Sequence, residues 1–289
     1  MTGGCEKFII STMKEKDLDA VIEVALKEDM PRGDITSENI IPSDSESEAI
    51  ILAKEQGILA GIKVAGRVFR KIDPSVRFKN AFEDGQVFKK GDILARLKGN
   101  SISILKGERT ALNFLQRMSG IATTTRIFVR ALEGTQTKIL DTRKTTPSLR
   151  FLEKYAVKMG GGVNHRFNLS EMVLIKDNHL KLVGSIREAV MRSKKKVKKG
   201  TKIEVEATSL EDVKEAVQSG ADMVMLDNMP FEKIGEVVKW VQGQVPLEVS
   251  GKVTLRRIRE IASLGIDFIS VGSLTHSYRS VDISIEFLG

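Results

Sequence analysis

The sequence predicts an α/β protein whose C-terminal part is a parallel β/α barrel, and two observations carry that expectation. From about residue 135 six short apolar runs recur, KILDT, MVLIKD, KIEVE, DMVMLD, PLEVS and DFISVG, each ending on a polar residue or glycine. Between most of them lies a stretch with helical spacing, such as SLEDVKEAVQSGA (209–221) and TLRRIREIASLGI (254–266). Apolar strands alternating with helices build a parallel sheet, because the helices cover its faces. Six units, each with its polar residue at the C-terminal end, favour a barrel over an open doubly wound sheet. No GxGxxG opens the first unit, which disfavours a Rossmann domain.

The first 117 residues read differently. DLDAVIEVALKEDM places Leu18, Val21, Ile22, Ala25 and Leu26 at helical spacing, and the breaker EDMPRGDIT ends that helix. Short alternating runs follow, EAIILAKEQGILAGI and VRFKNAFEDGQVFKKGDILARLKG. The turns EDG and KKGD between them predict antiparallel strands. After Gly107 comes a long amphipathic helix, ERTALNFLQRMSGIATTTRIFVRAL, with an expected interruption at Ser119-Gly120.

Composition narrows the function classes. At 289 residues, 41% apolar, the chain is long enough for one large domain or two modest ones. No apolar run approaches the roughly 20 residues that span a bilayer. The N-terminus MTGGCEKFIISTMKEKD has no basic region ahead of an apolar core, so no secretory signal is expected. The single cysteine, Cys5, cannot form an internal disulfide, and a cytoplasmic protein is the natural reading. The formal charge is +8, and part of it is the run RSKKKVKKG (192–200). Nucleic-acid binding is one reading of that run. A solvated helix end closed by Gly200 is preferred, because no aromatic residue interleaves with the lysines to stack on bases.

In a parallel barrel, chemistry sits at the C-terminal ends of the strands. Those ends are Asp141, Arg143 and Lys144; Lys176 and Asp177; Glu204 and Glu206; Asp227 and Asn228; Ser250 and Gly251; Gly272 and Ser273. The last two units pass from strand through glycine, VSGKVTLRRI and SVGSLTHS, so Ser250, Gly251, Lys252, Gly272 and Ser273 are expected to cup a phosphate. In KMGGGVNHRFNLSEMVLIKDNH (158–179) three glycines permit close backbone approach. Arg166 suits a carboxylate held by two bonds, and Lys176 adds a point charge. His165 is either a structural histidine or a carboxylate ligand, and His179 reads as a helix-cap partner. Glu206 and Asp227 suit ribose hydroxyls, or Mg²⁺ carried in with a polyphosphate. Paired carboxylates also serve glycosidases. The cations Arg143, Lys144, Arg166 and Lys176 decide against a neutral sugar and for a multiply anionic substrate.

With these motifs in place, the sequence resembles the quinolinate phosphoribosyltransferase family. The resemblance runs through ALKEDMPRGDITS (25–37), ILKGERTALNFLQRMSGIATTT (104–125), DTRKTTPSLR, GGGVNHRFNLSEMVLIKDNH, EVEATSLEDVKEA, LDNM, VSGKV and SVGSLTHSYRSVDISIEF. It implies an N-terminal α/β sandwich domain (1–117), an incomplete β/α barrel (118–275) and a C-terminal segment (276–289) that returns to the first domain. It implies Mg²⁺-dependent transfer of phosphoribosyl from phosphoribosyl pyrophosphate to quinolinate, with loss of CO2, in NAD biosynthesis. Dimers or larger homo-oligomers with shared sites are implied as well.

Carried over by motif, Arg143, Lys144, His165, Arg166 and Lys176 are implied to bind the quinolinate carboxylates, with Thr142 beside them. Arg109 resembles the arginine that reaches into the neighbouring subunit's site. Glu206 and Asp227 match the ribose and metal carboxylates. Ser250, Gly251, Val271 and Gly272 fall at the 5-phosphate site. Two positions depart from the pattern. The family often has glycine where this chain has Ser148, and glycine or asparagine where it has Lys252. Ser148 is expected to be neutral, whereas Lys252 puts the phosphate loop's backbone conformation in question. A paralogue acting on another acid shares the scaffold, and a nucleic-acid-binding protein leaves the strand-end set unexplained.

Overall fold

The computed structural model describes residues 15–288. Cys5 and the N-terminal stretch read for a signal lie outside the described residues. The chain gathers into two compact units. The first runs to Arg126 and adds Thr145–Gly161 and the chain from Ser273 onward; the second comprises Ile127–Lys144 and Gly162–Gly272.

The first unit opens with helix α1 (Glu15–Asp29), which buries Leu18 and Ile22, one helical turn apart. Helix α2 (Ser37–Ile40), strands β1 (Glu46–Ala53) and β2 (Gly57–Ile58), and helix α3 (Ile62–Ile72) follow. Strands β3 (Arg77–Asn80), β4 (Val87–Phe88) and β5 (Ile93–Asn100) then lead into the long helix α4 (Ser101–Ala131). The expected antiparallel pairing is present: β1 pairs with β5, β5 with β3, and β2 with β4. Helix α3 packs on α4 where Gly107 has no side chain, since a Cβ there would lie 2.6 Å from the Phe69 ring.

Helix α4 is continuous, so Ser119-Gly120 does not interrupt it. Both residues are small for packing. Ser119 is buried and its Oγ accepts the Ala60 N–H at 3.1 Å. A Cβ on Gly120 would come 2.2 Å from the Arg279 carbonyl oxygen.

Strand β6 (Lys138–Leu140) belongs to the second unit and helix α5 (Arg150–Met159) to the first. Residues 145–161 were expected within the barrel, but polar and close contacts tie them to the first unit. Arg117 pairs with the fully buried Glu153, Tyr155 Oη donates to Asp84 at 2.8 Å, and Arg126 Nε donates to the Gly160 carbonyl at 2.9 Å.

The second unit continues with β7 (Val173–Ile175), α6 (Asp177–Val183), α7 (Ile186–Lys196), β8 (Ile203–Ala207), α8 (Leu210–Gln218) and β9 (Met223–Asp227). Helix α9 (Phe231–Val241), strand β10 (Leu247–Ser250), helix α10 (Ile258–Ala262) and strand β11 (Phe268–Ser270) complete it. The six predicted apolar runs are its six strands, all parallel, in the order β6-β11-β10-β9-β8-β7. A further parallel bridge joins Leu140 to Val163 beyond β6. Helix starts follow their cap residues: Ser185 accepts from the Glu188 N–H, and Ser209 with Asp212 forms a capping box.

The lysine run ends α7 as expected, but the helix closes at Val197 rather than Gly200, which turns three residues later at φ 90°. Arg192 pairs with Glu188 one turn back, and Lys194 Nζ donates to the Ser219 carbonyl at the end of α8, at 2.9 Å. The first is a pair one turn apart within the helix, and the second suits a cation near a helix C-terminus.

Helix α11 (Ser273–His276) and strand β12 (Ile283–Leu288) return to the first unit. There β12 pairs antiparallel with β1, so one four-stranded sheet has the order β12-β1-β5-β3. Among the described residues, no helix is long and apolar enough to cross a membrane.

Candidate active site

Each strand of the second unit delivers its last residues to the same end of the parallel sheet, because all six run in one direction. Asp141, just past β6, is fully buried and does not present its carboxylate to solvent. Its Oδ1 accepts the His165 N–H at 2.8 Å and its Oδ2 accepts from Asn164 Nδ2. It therefore clamps the segment after the triple glycine. Thr142 Oγ1 accepts the Lys144 N–H at 3.1 Å, and Arg143 and Lys144 are exposed.

Arg166 is only 6% exposed, and Nη1 donates to the Met172 carbonyl at 3.1 Å. Among the described residues no carboxylate lies within ion-pair distance of it. Burial first, then the nearby Arg143 charge, pushes its pKa down, while Glu204 opposes them. An arginine in such surroundings is poised to take an anion.

Lys176 follows β7 and caps α6, where its N–H donates to His179 Nδ1 at 2.9 Å. His179 is thus the helix-cap partner that its position implied. Lys176 Nζ reaches across to Glu206 Oε2 at 2.7 Å. The Lys176 side chain is 43% exposed, so this pair is worth less than about 1 kcal/mol and opens readily. A residue expected on the dicarboxylate and one expected on the ribose thus hold one another.

Asp227 ends β9 and Ser250 ends β10, and the two are register partners. Asn228 adopts φ 51°, donates Nδ2 to Asp227 Oδ2 at 2.7 Å, and gives its N–H to the Ser250 carbonyl at 3.0 Å. Gly251 and Lys252 both take positive φ, 94° and 45°. A side chain at residue 252 therefore sits in the left-handed region, at about 1–2 kcal/mol. Ser148, at φ 66°, carries the same strain and is not neutral for the backbone. Val271 is buried and its N–H bonds to the Leu140 carbonyl at 2.9 Å, so its main chain faces the strand end. Ser273 opens α11 and Arg109 is exposed on α4, and both belong to the first unit.

Beneath these groups lies a cluster that only half appeared among the strand ends. Glu204 and Glu248 are both fully buried, and His165 Nε2 lies 3.0 Å from Glu204 Oε2 and 3.3 Å from Glu248 Oε2. The other ring nitrogen, Nδ1, accepts the Arg166 N–H at 2.8 Å. Burial, the largest influence, opposes charge on this ring; the two glutamates outweigh it and raise its pKa to about 10. A doubly protonated ring, however, would aim Nδ1–H at the Arg166 N–H. That contact favours the neutral ring, protonated on Nε2, with the extra proton on the carboxyl pair. Consistently, burial and then the Glu248 charge lift Glu204 to about 7. Three such groups are also a donor set for a metal. A ligating Nε2 would need its proton on Nδ1, which the Arg166 N–H excludes. Glu248 escaped the sequence reading; its signal was a glutamate inside the apolar run PLEVS, matching Glu204 in KIEVE.

Comparison with known proteins decides the family. Residues 34–119 match the model of the quinolinate phosphoribosyl transferase N-terminal domain, and residues 121–286 that of its C-terminal domain. The chain belongs to the quinolinate phosphoribosyl transferase family. It is 44% identical over 259 residues to a Bacillus subtilis (strain 168) protein named probable nicotinate-nucleotide pyrophosphorylase (carboxylating), covering 90% of this chain and 89% of that one. A chloroplastic Arabidopsis thaliana protein, nicotinate-nucleotide pyrophosphorylase (carboxylating), is 42% identical, with 93% of this chain and 82% of that one covered. The crystal structure of NadC from Streptococcus pyogenes superposes with a TM-score of 0.92 at 40% identity, covering 97% of this chain and 100% of that one. Family membership thus joins the antiparallel first unit and the parallel six-stranded second unit in one enzyme fold.

Proposed function

We infer that the strand ends of the second unit carry out the family's reaction. The chain is a phosphoribosyltransferase of NAD biosynthesis: it transfers phosphoribosyl from phosphoribosyl pyrophosphate to quinolinate, with decarboxylation, giving nicotinate mononucleotide, pyrophosphate and CO2. The observation that carries the site assignment is Arg166, buried beside another cation with no carboxylate paired to it among the described residues. A buried charge without a counter-charge is unfavourable by several kcal/mol. A dianion on a small ring supplies that counter-charge.

In this reading Arg166, Arg143 and Lys176 hold the quinolinate carboxylates, with Lys144 and Thr142 alongside. His165 supports Arg166 rather than touching the substrate, since both its ring nitrogens have protein partners. Ser250, Gly251, Lys252, Val271, Gly272 and Ser273 take the 5-phosphate. Lys176 leaves Glu206 for the substrate, which frees Glu206 to join Asp227 at the ribose.

As pyrophosphate departs, ribose C1 gains positive charge, which the two carboxylates stabilise electrostatically. Lys144 and Lys176 offset the negative charge of the substrates. The quinolinate nitrogen bonds to C1, and the ring becomes cationic. That ring accepts the electron pair left as the adjacent carboxylate departs as CO2, and the carbon then takes a proton. Glu206 and Asp227, oxygen donors on neighbouring strands, suit Mg²⁺. When bound, Mg²⁺ supplies charge neutralisation for the pyrophosphate. Assembly as a homodimer or higher homo-oligomer, with the partner subunit's Arg109 completing each site, and a cytoplasmic location belong to the same reading.

Calorimetric titration with quinolinate tests it. Arg166→Ala is expected to weaken binding by at least about tenfold, the scale of one charge-assisted bond. Unchanged affinity in the folded variant removes the central assignment.

A further inference from the structure

The geometry points to Glu204, with Glu248 beside it, as a positioning residue for quinolinate: Glu204 holds the His165 ring, and the ring fixes the main chain at Arg166. This deepens the reading of Arg166 as the quinolinate cation and rests on it.

Two fully buried carboxyl groups in one sheet interior are not explained by stability. Apolar side chains of similar size fill buried positions at no desolvation penalty. Neither glutamate has a lysine or arginine within ion-pair distance among the described residues. Their shared partner is His165 Nε2, at 3.0 and 3.3 Å. Among the described residues Glu204 Oε1 and both Glu248 oxygens have no hydrogen-bond partner, so the ring's hydrogen bond goes to Glu204 Oε2 and Glu248 stands beside it at ion-pair distance. The carboxyl pair is therefore organised around the histidine.

From His165 the connections run outward. Nδ1 accepts the Arg166 N–H at 2.8 Å, which fixes the ring and the following peptide together. On the other side Asp141 takes the His165 N–H and the Asn164 amide. The segment Asn164–Arg166 is a loop, yet it is held from the end of β6 through Asp141 and from β8 through Glu204. Rigid strands thereby position a side chain that the loop alone would leave free to move. Among the described residues the guanidinium donates one bond, to the Met172 carbonyl, which leaves its other donors for an anion.

The arrangement makes a separable prediction, because it acts on one substrate. Steady-state kinetics with both substrates varied, beside thermal unfolding, provides the test. Glu204→Leu fills the space but takes away the oxygen that accepts from Nε2–H. It is expected to raise the quinolinate KM at least about tenfold while the phosphoribosyl pyrophosphate KM and kcat stay within about threefold. Glu204→Gln keeps an accepting oxygen and is expected to restore the quinolinate KM to within about threefold of wild type. Arg166→Ala is the benchmark. If it raises the quinolinate KM and Glu204→Leu does not, or if Glu204→Leu raises both KM values alike, positioning is overturned. If Arg166→Ala itself leaves the quinolinate KM unchanged, the reading beneath it fails. Should Glu204→Leu not fold, nitrogen NMR of the wild-type protein at neutral pH decides. A His165 ring protonated on Nε2 with a bare Nδ1 is expected, and a proton on Nδ1 overturns the proposal.

Discussion

Replacing Gly251 by alanine tests how tightly the β10 strand end is built. Gly251 sits at φ 94°, where a Cβ would lie 2.3 Å from Asn228 Oδ1, 2.5 Å from its Cγ and 2.9 Å from its main-chain nitrogen. The side-chain atoms can rotate away, but doing so gives up the bond from Asn228 Nδ2 to Asp227 Oδ2. The main-chain nitrogen cannot move without disturbing its bond to the Ser250 carbonyl. Left-handed strain of about 1–2 kcal/mol, overpacking of about 1–3 and a lost hydrogen bond of about 1 give roughly 3–6 kcal/mol. For a unit of this size that lowers Tm by roughly 6–20 °C. Gly243→Ala is the control, because Gly243 is also left-handed, at φ 76°, with nothing within 4 Å of its would-be Cβ. It should lose only the strain, about 1–2 kcal/mol, and keep both KM values. Gly251→Ala should also raise the phosphoribosyl pyrophosphate KM at least about tenfold, with the quinolinate KM within about threefold. Thermal unfolding and two-substrate kinetics read both effects. Equal Tm values for the two variants, with an unchanged phosphoribosyl pyrophosphate KM, would refute the reasoning.

Three other outcomes are expected. Glu206→Gln and Asp227→Asn should reduce kcat by about tenfold to a thousandfold while calorimetric quinolinate affinity stays largely intact, since they act on charge at the ribose; loss of quinolinate binding with turnover spared would reverse their roles. Mixing inactive Arg109→Ala with inactive Lys176→Ala subunits should restore some activity, because certain mixed dimers keep one intact site; no recovery after verified subunit exchange argues against a shared site. Ser148→Gly should raise Tm by up to a few degrees, because relief of about 1–2 kcal/mol of left-handed strain exceeds glycine's entropic cost of about 0.5–1; a lower Tm would contradict the strain reading.

The parallel strands were legible because burial on both faces leaves nearly continuous apolar runs, as in MVMLD and KIEVE. Direction followed from the recurring polar ends, so Lys176 and Glu206 could be read as neighbours in space, and they pair at 2.7 Å. Side-chain aim could not be read. Asp141 and Glu204 looked like cavity carboxylates, yet both point into the interior and hold the His165 segment. A polar residue ending an apolar run looks the same whether it faces a cavity or a buried partner. Ser119-Gly120 misled for a related reason: small residues mark both helix breaks and close approaches, and here Gly120 admits the Arg279 backbone. The left-handed positions Ser148 and Lys252 stood out only through the resemblance, because serine and lysine do not themselves advertise that conformation. The place of Thr145–Gly161 in the first unit depends on partners distant in sequence, Arg117 and Asp84 among them.

The central claim is decarboxylating transfer to a dicarboxylate, and a product assay meets it most directly. The protein is incubated with phosphoribosyl pyrophosphate, Mg²⁺ and quinolinate labelled in its 2-carboxylate, with nicotinate in a parallel reaction. Nicotinate mononucleotide and labelled CO2 are expected in equal amounts from quinolinate, with turnover of nicotinate at least about tenfold lower for want of one charge-assisted contact. Equal turnover of the two acids, or nucleotide formed from quinolinate without release of CO2, would contradict the account.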